Sequence, residues 1–141
     1  IAMRIHRMQP EYNLAMGQCY MEMDKLDDAI TYFGNVVRVR PKNINGWIEL
    51  LKCLYKAEMM EEALEYAGFA FEQTDGQPIF LFYKSAFLYA LGKSKEALLH
   101  LETGMSRNPK LNKKFIEINP SILQVQQVVD LIARYKKRNS I

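Results

Sequence analysis

The sequence is poor in the residues that most often carry chemistry. Its 141 residues include only two histidines, His6 and His100, and two cysteines, Cys19 and Cys53. Neither histidine has a second ligand at metal spacing, so both read as surface or edge residues and no metal site is expected. No phosphate loop, dinucleotide fingerprint, zinc-protease motif or serine elbow is present, and lone carboxylates such as Glu61 and Glu62 read as helix-start charges. With no acid–base pair or cofactor motif, a non-catalytic chain without cofactors is expected. Long apolar runs are also missing. The longest, 78–83 and 86–91, fall far short of the roughly 18 residues a membrane helix needs, so membrane insertion is not expected. A surplus of one charge is nearly absent, with 19 bases against 16 acids and a formal charge of +3. That balance argues against an obligate nucleic-acid or membrane-surface binder. Period-two alternation is lacking too, so strands are not expected.

What is there is globular in amount and repetitive in order. Hydrophobic residues make up 49% and charged residues 25%, enough to bury a core and too apolar for wholesale disorder. Three runs stand out: Asp28-Ala29-Ile30, Glu62-Ala63-Leu64 and Glu96-Ala97-Leu98, with successive alanines 34 positions apart. Other columns keep the step: Gly17, Leu51 and Ser85; Tyr20, Leu54 and Leu88; Phe33, Ala67 and Leu101; Val36, Ala70 and Gly104. A period of this size marks stacked supersecondary units.

Each unit reads as helix–turn–helix. Leu14, Tyr20 and Met23, then Leu26, Ile30, Phe33 and Val37, recur mostly at three- and four-residue steps, with the polar Met23-Asp24-Lys25 between them. Leu91-Gly92-Lys93-Ser94 offers a C-terminal glycine followed by a Ser N-cap. Pro10 and Pro78 suit first turns, where no N–H is needed. Small residues at Gly17, Ala29, Ala63 and Ala97 let paired helices approach, and Tyr20, Phe33, Trp47, Leu50 and Leu101 fill the space around them. One hairpin cannot cover its own apolar face, so neighbours must stack.

The expected organisation is a single domain over 1–141. Residues 1–9 read as the end of a preceding repeat, because Ala2 falls one period before Val36. Hairpins follow over 10–43, 44–77 and 78–111. A half-hairpin start implies a fragment of a larger protein. Residues 112–141 read as a short helix at 112–118, then a capping helix opened by Asn119-Pro120. Its apolar stripe is Ile122, Val125, Val129 and Ile132, with Val128 and Tyr135 alongside, opposite Gln124, Gln127, Arg134 and Lys137.

These columns resemble the tetratricopeptide repeat, a Trp-x2-Leu-Gly-x2-Tyr block, then Ala-x3-Phe, then Pro, over 34 residues. The first unit carries Met16-Gly17, Tyr20, Ala29, Phe33 and Pro41. The second carries Trp47, Leu50, Ala63 and Ala70. The third carries Leu81, Leu88, Gly92, Ala97, Leu101 and Pro109. The match spans about residues 10–109, with Leu51 and Ser85 departing from the glycine and Lys84 from an apolar position. The resemblance implies an all-α, right-handed superhelical solenoid of antiparallel hairpins with a C-terminal capping helix. It also implies a protein or peptide partner on the concave face made by the first helices. Carried over by column, the partner-binding set is Leu14, Gln18, Met21, Ile48, Glu49, Lys52, Tyr55, Lys56, Ile79, Phe82, Tyr83 and Tyr89.

Members that clamp acidic heat-shock chaperone tails use a lysine, two asparagines and two further bases. The matching positions here are Leu14, Gln18, Glu49, Ile79 and Tyr83, so no such tail is expected. Ile79 and the aromatics Phe82, Tyr83 and Tyr89, a patch that Tyr55 could adjoin, form either an exposed anchor surface or core covered by the C-terminal helix or by 115–118. The leading expectation is a protein-interaction scaffold. A substrate-holding chaperone of the bacterial secretion type, marked by homo-oligomerisation through the aromatic patch, and the regulatory segment of an enzyme lying before Ile1 are the alternatives.

Two further readings concern location and nucleic acid. Cys19 and Cys53 share a column on adjacent helices whose axes lie about 8–10 Å apart, long for a disulfide, so buried free thiols and a reducing, cytoplasmic setting are expected. Basic residues gather at second-helix ends, but Glu72 and Asp75 interrupt that edge, and the basic run at 134–138 has no base-reading element. Nucleic-acid binding is therefore not expected.

Overall fold

The computed structural model describes residues 9–139. The expected tail of an earlier repeat at 1–8 lies outside the described residues. Eight α-helices are present among them: α1 Pro10–Glu22, α2 Leu26–Val39, α3 Ile44–Lys56, α4 Met60–Gln73, α5 Ile79–Ala90, α6 Ser94–Arg107, α7 Asn112–Ile118 and α8 Gln126–Asn139. Short 3-10 turns at Pro109–Leu111 and Pro120–Gln124 flank α7, and no described residue is in a strand. The chain forms two compact units, Ile1–Asp75 and Gly76–Ile141, each described separately below.

Within each repeat, one turn geometry closes the hairpin. Asp24, Glu58 and Gly92 occur one period apart and all adopt positive φ, at 60°, 61° and 78°. In each turn the amide of that residue and the next donate back to the preceding helix: Asp24 to Met21 and Lys25 to Tyr20, Glu58 to Tyr55 and Met59 to Leu54, Gly92 to Tyr89 and Lys93 to Leu88. This double closure satisfies carbonyls that end a helix. Gly92 bears the left-handed conformation without a Cβ penalty, whereas Asp24 and Glu58 bear it with one. Ser94 is not the cap: the turn uses Gly92 and Lys93, which makes Lys93 the capping position and Ser94 the first helical residue.

The first unit buries Ala29, Phe33, Val36, Val37, Trp47, Leu50, Leu51, Cys53, Leu54, Ala63, Ala67 and Ala70. Gly17 earns its place by contact, since a Cβ there would stand 2.5 Å from the Phe33 ring. At the equivalent positions of the next hairpin the sizes are exchanged: Leu51 replaces the glycine and Ala67 the phenylalanine, both fully buried. The third hairpin uses Ser85 and Leu101, and the Ser85 hydroxyl donates to the Ala97 carbonyl at 2.7 Å. Every departure from the glycine column is therefore matched across the hairpin or hydrogen-bonded. Asn13 occupies the column of Trp47 and is 1% exposed. It donates to the Gln9 carbonyl at 2.9 Å and accepts from Asn35 at 3.1 Å, tying α1 to α2. The Trp47 indole donates to the Pro41 carbonyl at 2.6 Å.

The second unit closes over its own hairpin. Phe82, Ala86, Leu101, Met105, Phe115, Ile122, Val128, Leu131 and Ile132 form one cluster, with Tyr89, Ile118, Val125 and Tyr135 packed against it. The C-terminal stripe differs from the sequence expectation. Asn119 caps as predicted, accepting from the Ser121 amide at 3.2 Å, but it opens a 3-10 turn, and Val125 is extended before α8 begins. That break resets the helical phase, so Val128, Leu131 and Ile132 face inward and Val129 is exposed.

Candidate functional site

The first-helix surface of the first unit is assembled from α1 and α3. Leu14 and Met21 are half-buried and Gln18 is exposed on α1; Ile48, Glu49 and Tyr55 are half-buried and Lys52 and Lys56 exposed on α3. The two helix ends lie side by side, because Lys56 reaches Asp24, in the turn after α1, at 3.7 Å. Glu49 and Lys52 pair at 3.8 Å one turn apart. Leu14, Met21, Ile48 and Tyr55 are the half-buried apolar members of this set and Glu49, Lys52 and Lys56 its charged ones, a mixture that suits an extended or helical segment with apolar anchors.

The predicted members on the third hairpin are placed differently. Ile79 and Tyr83 are buried at 9% and 4% exposure, and Phe82 is fully buried. Phe82 lies over Gly104, where a Cβ would come within 2.8 Å of its ring, and under Phe115 of α7 at 6.0 Å between ring centroids. Of the two sequence readings for Phe82, core is the observed one, and the cover comes from 115–118. Tyr83 sits against Phe87 at 5.9 Å. Tyr89 alone keeps partial exposure, and its buried hydroxyl has no hydrogen-bond partner. Burial, then Glu102, pushes the Tyr89 hydroxyl above its ordinary range.

The thiols also part company. Cys53 is fully buried and donates to the Leu26 carbonyl at 3.5 Å, and burial pushes its pKa up to about 11. Nearby Lys56 lowers it, and Glu49 and Asp27 raise it further. Cys19 is exposed, contrary to the sequence expectation. His100 titrates below its ordinary value through burial and the nearby Lys84, with Glu96 opposing. Among the described residues there is no group of three or more His, Cys, Asp or Glu placed to hold a metal ion, and no helix long and apolar enough to cross a membrane.

A second concavity lies on the opposite, second-helix side of the first unit, and the sequence reading did not point to it. Ile30, Gly34, Val37 and Arg38 of α2, Tyr66, Phe69 and Gln73 of α4, and a floor of Trp47 and Leu50 enclose about 450 Å³. Tyr66 and Phe69 are 39% and 45% exposed and meet edge to face at 5.9 Å. A Cβ at Gly34 would meet nothing within 4 Å, so the groove is open above α2. The available signal was Tyr66 and Phe69 standing off the Ala63-Ala67-Ala70 stripe, on the side a capped repeat does not need.

No protein-family model matches the sequence, and no curated protein sequence matches it. Solved structures do match in shape. The TPR2B domain of yeast Sti1, in complex with a pHsp70 peptide, superposes with a TM-score of 0.65 at 16% identity, over 92% of this chain and 97% of that one. MamA superposes with a TM-score of 0.69 at 14% identity, over 94% of this chain and 80% of its own. The type III secretion translocator chaperone SycD of Yersinia enterocolitica gives 0.65 at 14% identity, over 82% of this chain and 89% of its own. Identities this low speak to fold, and the fold of this chain is the tetratricopeptide-repeat fold.

Proposed function

We propose that this chain is a non-catalytic protein-binding module that takes a partner segment on the first-helix face of its first two hairpins. The observation that carries the reading is the set Leu14, Met21, Ile48 and Tyr55, apolar residues left half-exposed on α1 and α3 beside Gln18, Lys52 and Lys56. Apolar anchors would supply affinity, and Glu49, Lys52 and Lys56 register. The likeness to a peptide-bound domain of Sti1 and to the chaperone SycD supports a protein ligand. The partner is not an acidic chaperone tail: two of the five clamp columns, Ile79 and Tyr83, are buried and apolar or aromatic, and a third is the carboxylate Glu49. A substrate-holding chaperone is the second reading, favoured by the likeness to SycD. The buried Ile79, Phe82 and Tyr83 take no part in partner contact in this reading, and the module works within a larger protein in the cytoplasm.

The test is affinity capture from native lysate with the wild-type chain and a Met21→Glu, Lys52→Glu variant, both checked for helix content by circular dichroism. A partner held by the wild type and recovered at least about tenfold less by the variant is expected, the size of effect a central anchor carries. Equal recovery by both would overturn the assignment to this face.

A further inference from the structure

The groove between α2 and α4 has two features that together name an occupant. Its walls are apolar at the level of Tyr66, Phe69 and Trp47. One turn toward the helix starts, both walls become acidic: Asp27 precedes Ile30 by three residues and Glu62 precedes Tyr66 by four, so each lies on the groove side of its helix. Asp28, Glu61 and Glu65 add to this end, and none of these five carboxylates has an ion-pair partner among the described residues. An occupant therefore needs a modest apolar surface followed, about two turns on, by positive charge.

The same chain carries such a surface at its other end. The near-zero balance of the whole sequence conceals a division: residues 1–75 hold 8 basic and 12 acidic residues, net −4, and residues 76–141 hold 11 basic and 4 acidic, net +7. Much of the surplus lies on α8, whose outer side presents Val129 at 36% exposure, then Ala133, Arg134 and Lys136. Arg134 and Lys136 have no ion-pair partner among the described residues. Val129 and Lys136 are seven residues apart, about 10 Å along the axis, the same separation as Phe69 and Glu62. Laid antiparallel to α4, α8 would set Val129 over Phe69 and Lys136 opposite Glu62, with Leu123, 46% exposed, ahead of Val129.

We infer that the groove docks helix α8 of a second copy of this chain, head to tail. The two surfaces differ, so each copy offers one of each, and the contact propagates to longer assemblies or closes into a ring. It is separate from the first-helix face and makes no use of Ile79, Phe82 or Tyr83 of α5, which are buried.

Sedimentation velocity on the full chain tests this, from about 5 to 200 µM, in about 50 mM and about 500 mM salt, where the screening length shortens several-fold. Species that grow past dimer with concentration are expected at low salt, with at least about tenfold weaker association at high salt. Phe69→Glu in the groove and Val129→Glu on α8 alter exposed positions, and each variant alone is expected to stay monomeric. Their equimolar mixture retains one intact groove and one intact α8 and is expected to stop at a one-to-one dimer. A wild-type chain monomeric throughout at low salt would overturn the inference. So would assembly unchanged in either variant, or growth past dimer in the mixture. Neither substitution touches Met21 or Lys52, so failure here leaves the first-helix reading standing, and the reverse also holds.

Discussion

The two units of this chain share one repeat pattern and treat their surfaces in opposite ways. The first unit, acidic overall, leaves both sides of its hairpins accessible, with half-exposed apolar residues on α1 and α3 and an open groove between α2 and α4. The second, basic overall, draws Phe82 and its neighbours into a closed cluster beneath α7 and α8. The difference does not come from the hairpins themselves, which have the same turns and column alternation. In the second unit the cover comes from the segment after the last repeat, whose Phe115, Ile122, Val128, Leu131 and Ile132 join the cluster. A repeat pattern thus specifies which sides are apolar, and the flanking chain decides which of them stay available for binding.

Removing that cover should have the largest effect. Phe115→Ala deletes a fully buried ring from the second unit's cluster and should cost about 3–5 kcal/mol. Urea unfolding gives the loss, and hydrogen exchange should locate it in α5 to α8, with new binding of an apolar dye at Phe82. Protection lost equally in α1 to α4 would break the contrast between the units.

The exchange of large and small residues offers a test inside the first unit. Gly17→Leu forces a side chain into the Phe33 ring, which a Cβ alone would approach to 2.5 Å, and should cost at least about 2–3 kcal/mol. Adding Phe33→Ala installs the Leu51 and Ala67 pair of the next hairpin and should restore most of the loss. A double variant no more stable than the single would mean that the pairing is not what preserves the core. Thermal or urea unfolding of the three variants settles the coupling.

The smallest effect sharpens the comparison by chemistry, because both cysteines lie in the first unit. The Cys53 thiol has its pKa raised from 9.0 to about 11, so near pH 8 its thiolate is about a hundredfold scarcer than that of an ordinary cysteine. Cys19 should be modified by a thiol reagent at the free rate and Cys53 only on opening of the first unit. Gly17→Leu should speed Cys53 and Phe115→Ala should not. The raised pKa also has a stability sign: the unfolded chain ionises near pH 9 and the folded chain near pH 11. The contribution is therefore complete below about pH 9 and lost between pH 9 and 11, a loss that Cys53→Ala should remove.

Much of the fold was legible in the order of residues. The 34-residue columns locate all six repeat helices, Met23-Asp24-Lys25 and Gly92 mark turns where the backbone is left-handed, and Asn119 caps the element it precedes. Other assignments needed contacts the sequence does not display. Asn13 reads as a polar interruption in the Trp47 column, and only its bond with Asn35 shows why it is buried. Leu131 lies outside the stripe that periodicity predicts and is buried, because the extended Val125 shifts the phase of α8. Cys19 and Cys53 look identical by column, yet the first is exposed and the second is buried and bonded to the Leu26 carbonyl.

By itself, then, the sequence determined the helical hairpins, their period, their turns and the positions that must be small where helices cross, since each rests on local geometry or on short-range spacing. The tertiary structure decided which apolar faces are covered, which thiol is exposed, and that an open groove lies between α2 and α4. Periodicity reports how apolar one side of a helix is, and it holds no information on what comes to lie against that side, because burial is set by residues distant in the chain.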